Sequence, residues 1–205
     1  MGVQSDVIAV TITADTLAAD PNGISVSAQV ANNAALVIGG ALASGGAVAL
    51  SNARKITITS GGDDDGISFT VVGTDINGVA QTESITGADS GAATSSKFFL
   101  SIASITAVGD PAGTIIAGIS GDSSDIIFAG RSRLKGVYLT STATAGTVDF
   151  LTSSTAGTSL FKISSVASAT ATRDVVIPDE GVLFKEGIYI QYTVSTFLTL
   201  TVFHA

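Results

Sequence analysis

Along most of this chain apolar and polar residues alternate one by one, a period of two that sends successive side chains to opposite faces of a β-strand. Arg54 to Ser60 carries the pattern compactly, with Ile56 and Ile58 on one face and Thr57 and Thr59 on the other. Gly66 to Thr74 places Ile67, Phe69 and Val71 together, and Val79 to Thr86 follows with one polar face. Between these runs stands Asp75-Ile76-Asn77-Gly78. Asn-Gly between alternating segments predicts a hairpin, because both residues tolerate positive φ.

Further strands are predicted at Val7 to Ala14, Ile24 to Val30, Ala47 to Leu50, Phe98 to Val108 and Thr114 to Ile119, with Gly109-Asp110-Pro111 turning between the last two. Later in the chain the pattern returns at Arg133 to Ser141, Thr147 to Ser153, Ser159 to Val166, Arg173 to Ile177, Ile188 to Val194 and Phe197 to Phe203. Ile188, Ile190 and Tyr192 alternate with Tyr189 and Gln191, which predicts burial on both faces of that strand. Helical spacing is sustained nowhere, and Ser165 to Thr172 allows at most a short turn. The expected fold is all-β: two small antiparallel β-sandwich or barrel modules in tandem, with little or no helix.

Charge suggests where the modules divide. Residues 1–125 carry twelve acidic and three basic side chains, and residues 126–205 carry five acidic and six basic. The change falls at Gly121-Asp122-Ser123-Ser124-Asp125, a composition that reads as a linker. The expected domains are therefore an acidic N-terminal β module, 1–125, and a near-neutral C-terminal one, 126–205, richer in aromatic residues.

Composition narrows the function. Only 13% of residues are charged, and Ser, Thr and Gly take their place, so contacts between copies would desolvate few charges. A net charge of −8 with nine basic residues gives no cationic track for a phosphate backbone, so nucleic acid is not an expected partner. The absence of Cys removes disulfides, thiolate metal sites and thiol nucleophiles together. Met1 to Asp6 lacks the basic and apolar regions of a secretory signal. The uncharged stretch Pro21 to Ala53 is interrupted by Gly39-Gly40 and Gly45-Gly46, and its apolar part is shorter than the ~20 residues of a spanning helix. No membrane span is expected.

Candidate chemistry is sparse. Asp63, Asp64 and Asp65, with Asp75 beyond, form the densest carboxylate cluster and are the weak candidates for a hard cation. Their spacing is not that of an EF-hand, and a solvated turn after Gly61-Gly62 is the simpler reading. Ser123 and Ser124 sit where a hydrolase serine could, but a nucleophile needs an oriented base, and the sole histidine, His204, is expected on a mobile end. Glu180 and Glu186 could form the carboxylate pair of a glycosidase, but Pro178-Asp179-Glu180-Gly181 reads as a turn. No zinc-ligand spacing, phosphate loop or dinucleotide fingerprint occurs. No catalytic residue and no cofactor is expected. Arg131, Arg133 and Lys135 alternate, which on a strand makes a basic stripe: either a solvated edge or a docking surface for an acidic partner.

One resemblance adds to this reading. The run from Ile56 to Gly87, through Gly61-Gly62-Asp63-Asp64-Asp65-Gly66 and Asp75-Ile76-Asn77-Gly78, resembles a module in structural proteins of tailed bacteriophages. The likeness extends through Ser96-Lys97-Phe98-Phe99 and Ile105-Thr106-Ala107-Val108, and Val175 to Ile190 looks like the closing part of such virion proteins. It covers roughly half the chain, and no catalytic or ligand residue belongs to it. The resemblance implies a non-catalytic virion component made in the host cytoplasm. On the capsid exterior it would be a decoration or cement protein, a homotrimer bound to the major capsid protein; the alternative is a tail part such as a tube subunit, fibre base or host-surface binder.

Overall fold

The computed structural model describes residues 6–153, 157–167 and 169–205, and within them the chain is all β-strand and connecting turns, with antiparallel pairing throughout. The strands are β1 (Ile8–Thr13), β2 (Asp20–Gln29), β3 (Ala43–Ser44), β4 (Ala47–Ser60), β5 (Ser68–Thr74), β6 (Ala80–Thr86), β7 (Ala92–Val108) and β8 (Thr114–Phe128). They continue with β9 (Ser132–Ser141), β10 (Gly146–Leu151), β11 (Ser159–Ser165), β12 (Thr172–Val176), β13 (Val182–Phe184), β14 (Ile188–Thr193) and β15 (Phe197–His204). The turn expected within Ser165 to Thr172 falls partly on Ser168, outside the described residues.

The chain forms two compact units, Ala18–Gly121 and a second made of Met1–Leu17 with Asp122–Ala205. In the first, β7 is flanked by β4 and β5, and β6 pairs β5. Phe69, Val71, Ile85, Phe99, Ile102 and Ile105 supply the buried face predicted by alternation. The 14-residue β4 and 17-residue β7 pass one another with register shifts. At one shift the buried Ser95 hydroxyl fills the broken ladder, accepting from the Ile56 N–H and donating to the Lys97 carbonyl, both at 2.8 Å. Beyond the ladder, β6 reaches the first half of β7 through side chains. The Glu83 carboxylate accepts from the Ser96 N–H at 2.7 Å, the Ser96 hydroxyl at 2.8 Å and the Lys97 N–H at 3.0 Å. Gln81 donates to the Phe98 carbonyl at 2.5 Å, and the Lys97 ammonium to the Thr82 carbonyl at 2.8 Å.

The β5–β6 hairpin is where Asn77-Gly78 predicts it, with a different turn. Gly78 has φ 77°, whereas Asn77 is not among the positive-φ residues. The loop runs from Asp75 to Val79, and Asp75 Oδ1 accepts from the N–H groups of Asn77 and Val79, each at 2.9 Å. A second hairpin, β3–β4, turns on Gly45 (φ 61°) and Gly46 (φ 80°), a pair that alternation alone reads as an interruption. Glycine serves another purpose where β2 crosses its neighbours: a Cβ at Gly118 would lie 1.9 Å from the Asp20 carbonyl, and one at Gly40 2.4 Å from that of Gly23.

The other unit is a sandwich. One sheet runs β1-β15-β9-β12, with β13 also on β9, and facing it lie β11, β10, β14 and the part of β8 after Gly121. Leu134, Val137, Leu139, Phe184, Leu200 and Val202 pack from the first sheet against Val148, Phe150, Ile163, Ile188 and Ile190 from the second. Ile188 to Tyr192 is buried on both faces apart from the partly exposed Gln191, as alternation predicts.

Two expectations require correction. Gly121 to Asp125 is the middle of β8 and not a linker: Ser123, Ser124 and Asp125 pair with Tyr192, Gln191 and Ile190. Small hydroxyls permit this, because Ser123 and Ser124 are 0% exposed yet bonded, Ser124 Oγ donating to the Ile190 carbonyl at 2.9 Å. The units are also not successive halves, since β1 returns to pair all six of its residues with β15. Divided this way, Ala18–Gly121 has eight acidic and three basic side chains and the other unit nine and six, so charge does not mark the boundary.

Candidate functional site

The carboxylate cluster is dispersed. Asp64 is wholly buried, its Oδ1 accepting from the Ala112 N–H at 2.7 Å, so it holds the turn around Pro111. Asp63 is exposed and accepts from the Asp65 N–H at 3.4 Å, while Asp75 is turned into its own hairpin loop. Among the described residues no three His, Asp or Glu side chains gather in a way that could hold a metal ion.

The basic stripe forms in part. Arg133 and Lys135 lie on β9, whereas Arg131 precedes it and is exposed. Arg133 pairs with Glu180 at 3.3 Å and reaches the carbonyls of Glu180 and Gly181, and Lys135 donates to the Asp179 carbonyl at 3.1 Å. These two cations clamp the turn at Asp179 (φ 56°) and Gly181 (φ 74°), so they are engaged within the chain. Glu180 thereby belongs to the clamp. Glu186 lines a cavity of about 290 Å³ with Thr152, Thr158, Leu160, Leu183 and Lys185, where it is the sole carboxylate.

His204 departs most from expectation. It ends β15, lies opposite Ile8 and Leu134, and is 2% exposed, because the strand on which it sits is covered from both sides. Its ring lies against Phe128 with centroids 5.0 Å apart and planes tilted by 36°, and Nδ1 lies 2.9 Å from Ser132 Oγ. That pair has the elements of a nucleophile and base but not the arrangement. Ser132 Oγ also lies 3.2 Å from the Ala205 carbonyl, which competes with Nδ1 for its single proton, and Ser132 is itself 4% exposed. The imidazole also lacks the third group that would orient it as a base toward serine. Nε2 is buried without a partner, and burial lowers the imidazole pKa below its usual value.

A second polar node escapes sequence reading. The Tyr192 hydroxyl accepts from the Asp15 N–H at 3.0 Å, and Asp15 Oδ2 accepts from Ser123 Oγ at 3.3 Å. Burial raises the Tyr192 pKa, against the opposing pull of the bonds to Asp15 and Ser123. Arg54 is another, fully buried with its guanidinium on the Ser120 carbonyl. Periodicity could not identify these side chains, because their partners are distant in sequence.

What the surface offers instead is a neutral sheet face. On the side of β6-β5-β7 opposite the core, the paired rows are Thr86-Ser68-Val108, Ser84-Thr70-Thr106 and Thr82-Val72-Ser104. None of the nine is charged. Such a face presents hydroxyls and methyl groups to a partner without the cost of stripping water from ions. No family model matches this chain, and neither a curated protein nor a solved structure matches it.

Proposed function

We propose that this chain is a non-catalytic structural component of a tailed-bacteriophage virion, specifically a decoration protein that binds the capsid exterior and bridges its subunits. The observation that carries the reading is the nine-residue uncharged face of β6, β5 and β7, which lies within the segment whose sequence resembles phage structural modules. The candidate serines Ser123 and Ser124 are fully buried within β8 and the candidate acids Glu180 and Glu186 serve different surroundings, which supports a role without catalysis. The mechanism is linkage. A protein that binds the assembled shell and not its separated subunits adds its binding free energy to the shell's resistance to opening. Bridging requires a contact near the ~1,600 Å² of a standard interface, and a face poor in charge reaches that area at low desolvation cost.

The test is to strip the protein from purified particles of the phage that encodes it and add it back. Re-addition should raise the temperature at which DNA is released, and replacing Thr70 and Thr106 by Lys should abolish the effect while leaving the fold intact. Protein that neither co-sediments with the particles nor changes that temperature refutes the reading.

A further inference from the structure

Unpaired strand edges expose backbone donors and acceptors that will pair with another strand, so proteins guard them with charge, proline, bulges or brevity. Most marginal strands here are guarded. The edge of β6 is bridged to β7 by Gln81, Glu83 and Lys97. Strand β11 carries Lys162, ion-paired with Asp149, and its ladder to β10 is broken by a register shift. Strand β12 bears exposed Arg173 and Asp174, β13 has three residues and β3 two. Strand β2 contains Asp20 and Pro21 and shifts register twice against β8.

Strand β1 has none of these devices. Ile8–Thr13 reads Ile-Ala-Val-Thr-Ile-Thr, without charge or proline, and its six pairs with β15 run without a shift. Among the described residues it stands at the end of its sheet, with β15 as its strand partner on one side. Val10 and Ile12 pack on the core, and Ile8 lies on the same face beside His204 but is 52% exposed, so the apolar row continues past the covered part of the sandwich.

We propose that the open edge of β1 is a self-association surface, taken by β1 of a second copy of this chain in antiparallel pairing about a two-fold axis. The occupant follows from the pattern. Antiparallel partners share a face, so a two-fold centred on Val10 sets Ile8 opposite Ile12 of the second copy and Ala9 opposite Thr11, matching apolar to apolar and neutral to neutral. A two-fold centred on Thr11 also preserves the faces. In a chain of net charge −8, β1 itself carries no charge, so neither register sets like charges directly opposite one another, and Asp6 and Asp15 flank the paired segment. The pairing predicts a dimeric unit in place of the trimer that the phage resemblance implies, and it does not rest on the virion reading.

Sedimentation equilibrium of the full chain, run up to millimolar concentration, tests it. Wild-type protein should reach the mass of two copies. The double variants Ala9→Lys/Thr11→Lys and Ala9→Glu/Thr11→Glu should each remain single copies, since either register sets like charges face to face, and an equimolar mixture should recover the two-copy mass. A wild-type mass of one copy throughout, a mass of three, or a lysine variant that associates like wild type overturns the proposal. If circular dichroism finds the variants unfolded, hydrogen exchange of wild type decides: protection at residues 8–13 that rises with concentration supports the pairing, and protection independent of concentration overturns it.

Discussion

The backbone N–H of Asp15 donates to the Tyr192 hydroxyl at 3.0 Å, joining residues 177 apart in the chain. Through it, the segment after β1 is tied to β14, and Ser123 of β8 is bonded to the same carboxylate-bearing residue. The node anchors the first residues to the unit formed by the last ones.

Replacing Tyr192 by Phe removes the hydroxyl to which the partly buried Asp15 N–H donates. The expected loss is about 1–2 kcal/mol of unfolding free energy in urea titration. The phenol also carries an alkaline signature. Because burial raises its folded pKa above the ordinary 10.0, the folded state keeps its proton longer, and stability is lost as pH rises from about 10 through the folded value. Tyr192→Phe should flatten that decline.

His204 predicts the acid counterpart. Its folded pKa lies below the ordinary 6.5, so the stability of the neutral buried ring is complete above that value and is lost as pH falls from there through the folded pKa. One such site contributes a slope of at most ~1.4 kcal/mol per pH unit. Thermal unfolding between pH 7 and 5 should fall less steeply for His204→Gln than for wild type, since glutamine keeps a partner for Ser132 and does not titrate.

Much of the fold was legible because alternation is a local property. The β5–β6 hairpin and the strands around Ile56, Val137 and Val202 lie where the pattern puts them. Ser123 and Ser124 were misread as linker because composition cannot distinguish a solvated serine from one bonded to a distant carbonyl. His204 was misread as mobile because nothing local announces that β1 and β9 flank it. The carboxylates of Asp63 to Asp65 are adjacent in sequence, but loop geometry sends Asp64 inward and leaves Asp63 outside.

Two glycines separate backbone crowding from backbone freedom. Gly118→Ala places a methyl 1.9 Å from the Asp20 carbonyl and should cost more than about 3 kcal/mol or prevent soluble expression. Gly66→Ala meets nothing within 4 Å and needs no positive φ, so it should be neutral or stabilising by about 0.4–1 kcal/mol. Chemical denaturation of both variants checks the contrast.

Glu83 stands in for a missing strand ladder. Glu83→Ala releases the three donors of Ser96 and Lys97 and should destabilise by about 1–3 kcal/mol, with hydrogen exchange rising first at the amides of those two residues. Glu83→Gln keeps acceptor capacity and should lose less.

The central claim, a decoration protein on a phage shell, is tested most directly by cryo-electron microscopy of virions carrying a gold-labelled copy of the chain. The account predicts label at regular sites over the outer surface of the head. Label confined to the tail, or none on purified particles, would contradict it.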